Sequence, residues 1–243
     1  MGGKKCMIGW IRREESGAPR TECLFCGDVT VLCVRVRSGT DMCAALSARR
    51  AAALLAKKHV RIAALPMNYP YGGVFSRRGI TPADPTQLAF SCADAIALCA
   101  LGQRGTAPEG ATVALLARRP SASLRRTAHK LARSVRYLAL CTPDAEELAC
   151  ELRQEWGIAV QTVRAGEPLR ADAALSFDAV EENCICLAEK ELAVEYCAAV
   201  GTLRCTDAAL LSALLCVGAI KPEEVCVGNV SLPCDAGKLC LTT

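Results

Sequence analysis

A chain of 243 residues has room for one large domain or two of about 100–150 residues, and its 52% hydrophobic and 22% charged content exclude a disordered polypeptide. The formal charge of +4 hides a split, with 22 Lys and Arg against 8 Asp and Glu over residues 1–136 and 7 against 17 over residues 137–243. Such asymmetry raises the question of an acidic or nucleic-acid partner.

Residues 1–12 hold no apolar signal core, and the uncharged stretch Ala208–Ile220 is too short to span a bilayer. A cytoplasmic protein without a membrane segment is therefore expected. Gly2 with Cys6 lacks the Ser or Thr of an acylation signal at position 6. The 17 cysteines, an odd number, are read as reduced thiols, most of them small core hydrophobes.

In chain order, Met7–Arg12 and Val29–Arg37 are expected strands, with a polar turn over Glu14–Arg20 between them. A helix from a Ser47 cap to His59 follows, then a short strand, Arg61–Leu65. Pro66–Pro85, rich in Pro and Gly, is read as one long loop, and loops of that length inside a compact domain are uncommon unless functional. A helix over Thr86–Leu101 ends at a Gly/Pro linker, Gln103–Gly110, which sets the expected boundary between domains 1–105 and 106–243.

Beyond the linker the pattern becomes regular. Strands at Thr112–Ala117, Val135–Leu140, Ile158–Val163 and Ala173–Phe177 carry no charge except Arg136, and helices start at Ser121 or Ser123 and at Thr142-Pro143. Uncharged strands alternating with amphipathic helices imply parallel strands buried on both faces. The expected class is α/β: a small α/β N-terminal domain followed by a Rossmann-like parallel sheet, with the architectural resemblance carried by residues 110–178. Past Asp178, Leu187–Val200 and Asp207–Val217 (with Thr206 as cap) read as helices, and Val225–Leu232 as a last strand.

The chemistry is sparse. The first strand-to-helix turn of the second domain, Arg118-Arg119-Pro120-Ser121-Ala122-Ser123, has no glycine, and the next strand ends without an acidic residue. Both absences argue against NAD(P), which needs close backbone approach and a ribose-binding carboxylate. What remains at that turn suits an isolated phosphate or carboxylate: two guanidiniums, two hydroxyls and a helix N-terminus. Asp178 stands where open α/β sheets hold ligands. The 66–85 loop gathers Asn68, Tyr69, Tyr71, Arg77 and Arg78, amphipathic aromatics and cations fit for a small anion.

Other readings are weaker. Cys23-Leu-Phe-Cys26 has no second CxxC to complete a zinc site, so incidental cysteines are expected there. His59 and His129 lie in basic runs with no carboxylate at helical spacing, and no metal or nucleophile set is read. The basic helix containing Arg125, Arg126, His129, Lys130, Arg133 and Arg136 precedes an acidic one with Asp144, Glu146, Glu147, Glu151 and Glu155. Neighbouring crossover helices would neutralise each other, which weakens the nucleic-acid reading. The expectation is a protein binding a small anionic ligand or nucleotide in an inter-domain cleft; the alternatives are a nucleic-acid-associated protein and a degenerate NAD(P)-dependent oxidoreductase.

Overall fold

The structure is a computed structural model that describes residues 6–15, 21–164, 167–178, 184–189, 192–200, 203–232 and 239–240. It is a mixed α/β fold built on parallel sheets, in two compact units. Unit 1 comprises residues 1–88 with 197–225, and unit 2 comprises 89–196 with 226–243. This division differs from the expected boundary at 105/106, because unit 1 recruits a returning segment that no local composition shift marks.

In unit 1, β1 (Cys6–Glu14) pairs in parallel with both β3 (Val29–Arg37) and β4 (Ile62–Ala64). Beyond β4 lies β5 (Thr81–Pro82), and beyond β3 the antiparallel edge strand β2 (Thr21–Cys26). Strand β2 was not anticipated. Gly27, at φ 53°, makes the tight turn that folds it onto β3, a conformation glycine adopts without steric cost. The expected turn over Glu14–Arg20 lies largely outside the described residues.

Helix α1 (Met42–Lys57) starts a turn and a half earlier than its expected Ser47 cap. Asp41 is the cap, its Oδ1 accepting from the Ala44 amide at 2.8 Å, while the Ser47 hydroxyl accepts from the Arg37 amide instead. Its buried face is Ala44, Ala48, Ala51, Ala52 and Leu55, which lets the helix sit close to the sheet. Gly9 of β1 meets it there: a Cβ at Gly9 would lie 2.7 Å from Leu55 Cδ1 and 3.2 Å from the Ala63 Cβ. Gly9→Ala is therefore expected to lower stability by about 1–3 kcal/mol through overpacking, measured by chemical denaturation.

The Pro66–Pro85 stretch is not a single loop. It contains α2 (Gly72–Ser76) and β5, with Phe75 and Ile80 fully buried. The opposite face of β1 meets α7 (Ala208–Cys216), because side chains alternate along a strand and Trp10 points away from Gly9. Asp207, not Thr206, caps α7: its Oδ1 accepts from the Leu210 amide at 2.9 Å and its Oδ2 from Trp10 Nε1 at 3.0 Å.

Where one helix was expected over Thr86–Leu101, α3 (Pro85–Ser91) and α4 (Ala93–Gln103) meet at a 73° bend around the non-helical Cys92. Among the described residues no single helix is long and apolar enough to cross a membrane.

In unit 2 the sheet holds β6 (Thr112–Leu116), β7 (Tyr137–Cys141), β8 (Ala159–Thr162), β10 (Ala173–Ser176) and β11 (Ile185–Cys186), all parallel, in the order β8-β7-β6-β10-β11. This is the 3-2-1-4-5 succession of a Rossmann-type sheet, whose strand order reverses between β6 and β10. The crossovers are α5 (Ala122–Leu131), capped by Ser121, and α6 (Ala145–Trp156), which ends at Gly157 in the left-handed region at φ 65°. The expected Thr142 cap of α6 is replaced by Asp144 at the N-cap position, without a side-chain capping bond.

Among the described residues no helix stands between β8 and β10. Ala114, Leu116, Ala139 and Ala174 pack on Val163, Leu169 and Ala171, around β9 (Pro168–Leu169), which pairs with β15 (Leu239–Cys240).

The expected helix over Leu187–Val200 is instead a turn at Leu187 and Ala188 followed by β12 (Val194–Val200); residues 190–191 lie outside the described set. Tyr196, Ala198 and Val200 are buried in alternation, a period of two that the alanines disguised. Strand β12 forms a three-stranded sheet with β13 (Leu203–Cys205) and β14 (Val225–Val230), in the order β13-β12-β14.

The cysteines divide more evenly than expected. Cys26, Cys33, Cys92, Cys186 and Cys205 are buried, but Cys6, Cys23, Cys43, Cys150, Cys216 and Cys226 are exposed. Burial pushes the Cys33, Cys186 and Cys205 thiols above their usual range and keeps them protonated and inert.

Candidate functional site

In a parallel sheet whose order reverses, the crevice lies outside the carboxyl ends of the two strands at the reversal. Here these are β6 and β10, followed by Arg118 and Asp178. The Phe177 amide donates to the Leu116 carbonyl at 2.9 Å, which carries the pairing one residue past β10. Phe177 also stacks on Phe90 at 6.1 Å, anchoring the strand end from which Asp178 projects.

Asp178 bridges the two strand ends. Its carboxylate accepts from the Arg118 amide at 2.8 Å and from the Arg119 amide at 3.0 Å, across 60 and 59 residues of chain. The backbone donors that a bound phosphate would take at a glycine-rich turn are thus held by the chain's own anion.

The hydroxyls are partly committed as well. Ser121 Oγ accepts from the Leu124 amide at 3.3 Å, and Ser123 Oγ accepts from Arg126 at 3.4 Å. The Arg118 and Arg119 residues are exposed. Beside them a cavity of about 290 Å³ opens between the start of α5 and the turn after β7, with Ser121, Arg125, Thr142, Asp144 and Glu147 on its walls. Thr142 and Asp144 were not expected to contribute. Their position at the end of the strand next to β6 was the available signal. The walls mix two hydroxyls, one guanidinium and two carboxylates, so they suit the hydroxyl groups of a ligand.

The structure therefore gathers Arg118, Arg119, Ser121, Ser123 and Asp178 within unit 2. The other expected site residues, Asn68, Tyr69, Tyr71, Arg77 and Arg78, belong to unit 1, where several of them hold the segment together. Tyr69 packs on Phe75, with ring centres 6.1 Å apart, and on Tyr71 at 5.6 Å. Burial pushes the Tyr69 phenol up to about 12. Arg13 lies 5.5 Å from the Tyr69 ring and donates to the Met67 and Asn68 carbonyls at 3.2 and 3.1 Å. Asn68 takes a left-handed backbone at φ 52°. The Tyr71 hydroxyl donates to the Asp41 carbonyl at 3.2 Å, and Arg77 Nε donates to the Gly73 carbonyl at 3.3 Å.

Cys23 and Cys26 stand three residues apart on β2. A strand sends such a pair to opposite faces, and Cys23 is exposed while Cys26 is buried. That geometry explains why the CxxC spacing does not make a chelating pair here.

The expected meeting of the basic and acidic helices does occur. Arg125 of α5 hydrogen-bonds Glu151 of α6 and lies 3.7 Å from Glu147. His129 Nε2 lies 3.1 Å from Glu151 Oε1, and His129 Nδ1 lies 3.2 Å from Glu155 Oε2. Lys130 reaches Asp94 of α4 at 3.6 Å, and the Arg133 guanidinium sits 4.7 Å from the Trp156 ring centre. Much of the basic helix is thus matched within its own unit.

No protein-family model matches the sequence, and no curated protein does. Among solved structures the chain is similar to the L-tryptophan dehydrogenase of Nostoc punctiforme, at 15% identity and a TM-score of 0.29, over 60% of this chain and 44% of that one. It is also similar to the shikimate 5-dehydrogenase of Listeria monocytogenes in complex with shikimate and NAD, at 11% identity and a TM-score of 0.25, over 68% of this chain and 63% of that one. The chain spans less than two thirds of the length of either, and neither likeness carries a residue or an activity across.

Proposed function

We propose that unit 2 binds a small anionic ligand bearing hydroxyl groups, of the sugar-phosphate or nucleotide class, at the carboxyl ends of β6 and β10. The observation that carries this reading is the strand reversal, with Arg118, Arg119, Ser121, Ser123 and Asp178 around it. The anionic group meets Arg118, Arg119 and Ser123 at the start of α5, where the helix dipole favours negative charge. Hydroxyls turn to Thr142 and Asp144 in the adjoining cavity. Asp178 keeps the turn in shape and turns a phosphate away from the backbone amides.

A thermal-denaturation panel of nucleotides and sugar phosphates tests this. A ligand at a hundredfold excess over its Kd contributes about 2.7 kcal/mol, a rise in Tm of roughly 5–10 °C. The Arg119→Ala, Ser123→Ala double variant should lose the rise. No shift with any member of the panel overturns the reading.

Asp178→Asn gives an independent check. Charge-assisted bonds to two amides are lost or weakened, so unit 2 should lose about 1–2 kcal/mol. With the competing anion gone, the same variant should bind inorganic phosphate more tightly than the parent does, read by calorimetry.

A further inference from the structure

The seam between α5 and α6 holds an arrangement that ion pairing alone does not satisfy. His129, Glu151 and Glu155 each offer a donor atom within 4.8 Å of the other two. Glu151 and Glu155 stand one helical turn apart on α6, so both carboxylates reach the same face. His129 comes from the neighbouring helix.

The contacts at His129 Nδ1 conflict. Trp156 Nε1 donates to it at 3.3 Å, which requires a lone pair on that nitrogen. Glu155 Oε2 stands 3.2 Å from the same nitrogen and needs a proton there. An unprotonated Nδ1 leaves the Glu155 carboxylate facing a lone pair. A protonated Nδ1, in the neutral Nδ1–H tautomer or in the doubly protonated ring, sets an imidazole N–H against the indole N–H. Neither protonation state serves both neighbours. A cation between Nδ1 and Glu155 accepts electron pairs from both, and taking Glu151 as a third ligand exchanges the long indole contact and the Glu151–Nε2 contact for bonds to the metal.

We propose that His129, Glu151 and Glu155 form a site for one divalent transition-metal cation, of the zinc or cobalt kind. One imidazole and two carboxylates suit such ions and leave a position for water. The 3.2 Å separation of Nδ1 and Oε2 is already near the roughly 3.3 Å between donors of a tetrahedral zinc site. Arg125 donates to the other oxygen of Glu151, the kind of outer contact that orients a ligating carboxylate. An open hollow beside the cluster is lined by Glu147, Glu151 and Glu155, which gives a cation an electronegative approach.

Titration of the metal-free Trp10→Phe protein with cobalt(II) tests the site, because Trp156 then remains as the sole tryptophan, in contact with His129. One equivalent should bind, quench Trp156 fluorescence and give the weak visible bands of a nitrogen–oxygen ligand set. Glu151→Gln with Glu155→Gln should abolish both signals, and so should His129→Ala. Glu146→Gln, on the same helix but bonded to Thr162, should keep them. Quenching that persists in the double Gln variant overturns the proposal, as does absence of binding at millimolar cobalt or a spectrum dominated by thiolate charge transfer. Circular dichroism of each variant separates loss of the site from loss of the fold.

Discussion

Phe75→Ala is expected to cost unit 1 about 3–5 kcal/mol, read as a lowered midpoint in chemical denaturation. Phe75 has no exposed surface and is the only buried residue of α2. It joins the core made by Ile11, Leu55, Val60, Ala63 and Ile80, with Tyr69 packed against it. A five-residue helix cannot sustain itself through propensity, because its nucleation costs more than its few hydrogen bonds return. The segment is held by what Phe75 buries. Arg78→Ala, on the exposed side, should stay within about 0.5 kcal/mol of the parent. Equal effects from the two substitutions would show that the 66–85 segment is not packed as described.

Asp207→Ala should cost about 2–4 kcal/mol, since one carboxylate performs two tasks. It caps α7, a contribution of about 0.5–2 kcal/mol, and it accepts from the partly buried Trp10 indole, whose loss leaves a donor unpaired at about 1–3 kcal/mol. The bond joins β1 to a helix 197 residues later in the chain, both within unit 1. Asp207→Asn keeps one oxygen and should lose less. A double-mutant cycle with Trp10→Phe should show a coupling of about 1–2 kcal/mol. Strict additivity would mean that the indole–carboxylate bond contributes nothing.

Much of unit 2 was legible because its strands are short, uncharged runs between amphipathic helices. Strand β6 begins at Thr112 and β10 at Ala173, as the pattern implies, and Gly157 stops α6 where a glycine past the last apolar residue should. Less of unit 1 could be read. Strand β2 carries Cys23 and Cys26, and their spacing suggests chemistry before it suggests a strand. Strand β12 has alanines that fit a helix as readily as a sheet. The 66–85 segment is dense in proline and glycine, so its one buried phenylalanine is easily passed over. At helix starts, Asp41 and Asp207 took the caps expected of Ser47 and Thr206. The candidate site was half legible: Arg118, Arg119, Ser121, Ser123 and Asp178 lie together, whereas Thr142 and Asp144 became visible only as cavity walls.

From residue order alone come the α/β class, the regular half of the chain, the missing glycine fingerprint and the opposed charges of α5 and α6. These are local properties, set by side-chain period, capping and composition within a dozen residues. Pairings across long stretches of chain depend on strand order and on which face each helix covers, and no local period encodes either. Asp178 meets Arg118 because β10 lies beside β6, and Glu155 meets His129 because consecutive crossovers lie side by side. The charge split at Arg136 is the clearest instance. In sequence it suggests an external partner; in the folded chain part of it, Arg125 and His129 against Glu147, Glu151 and Glu155, is met between two helices of the same unit.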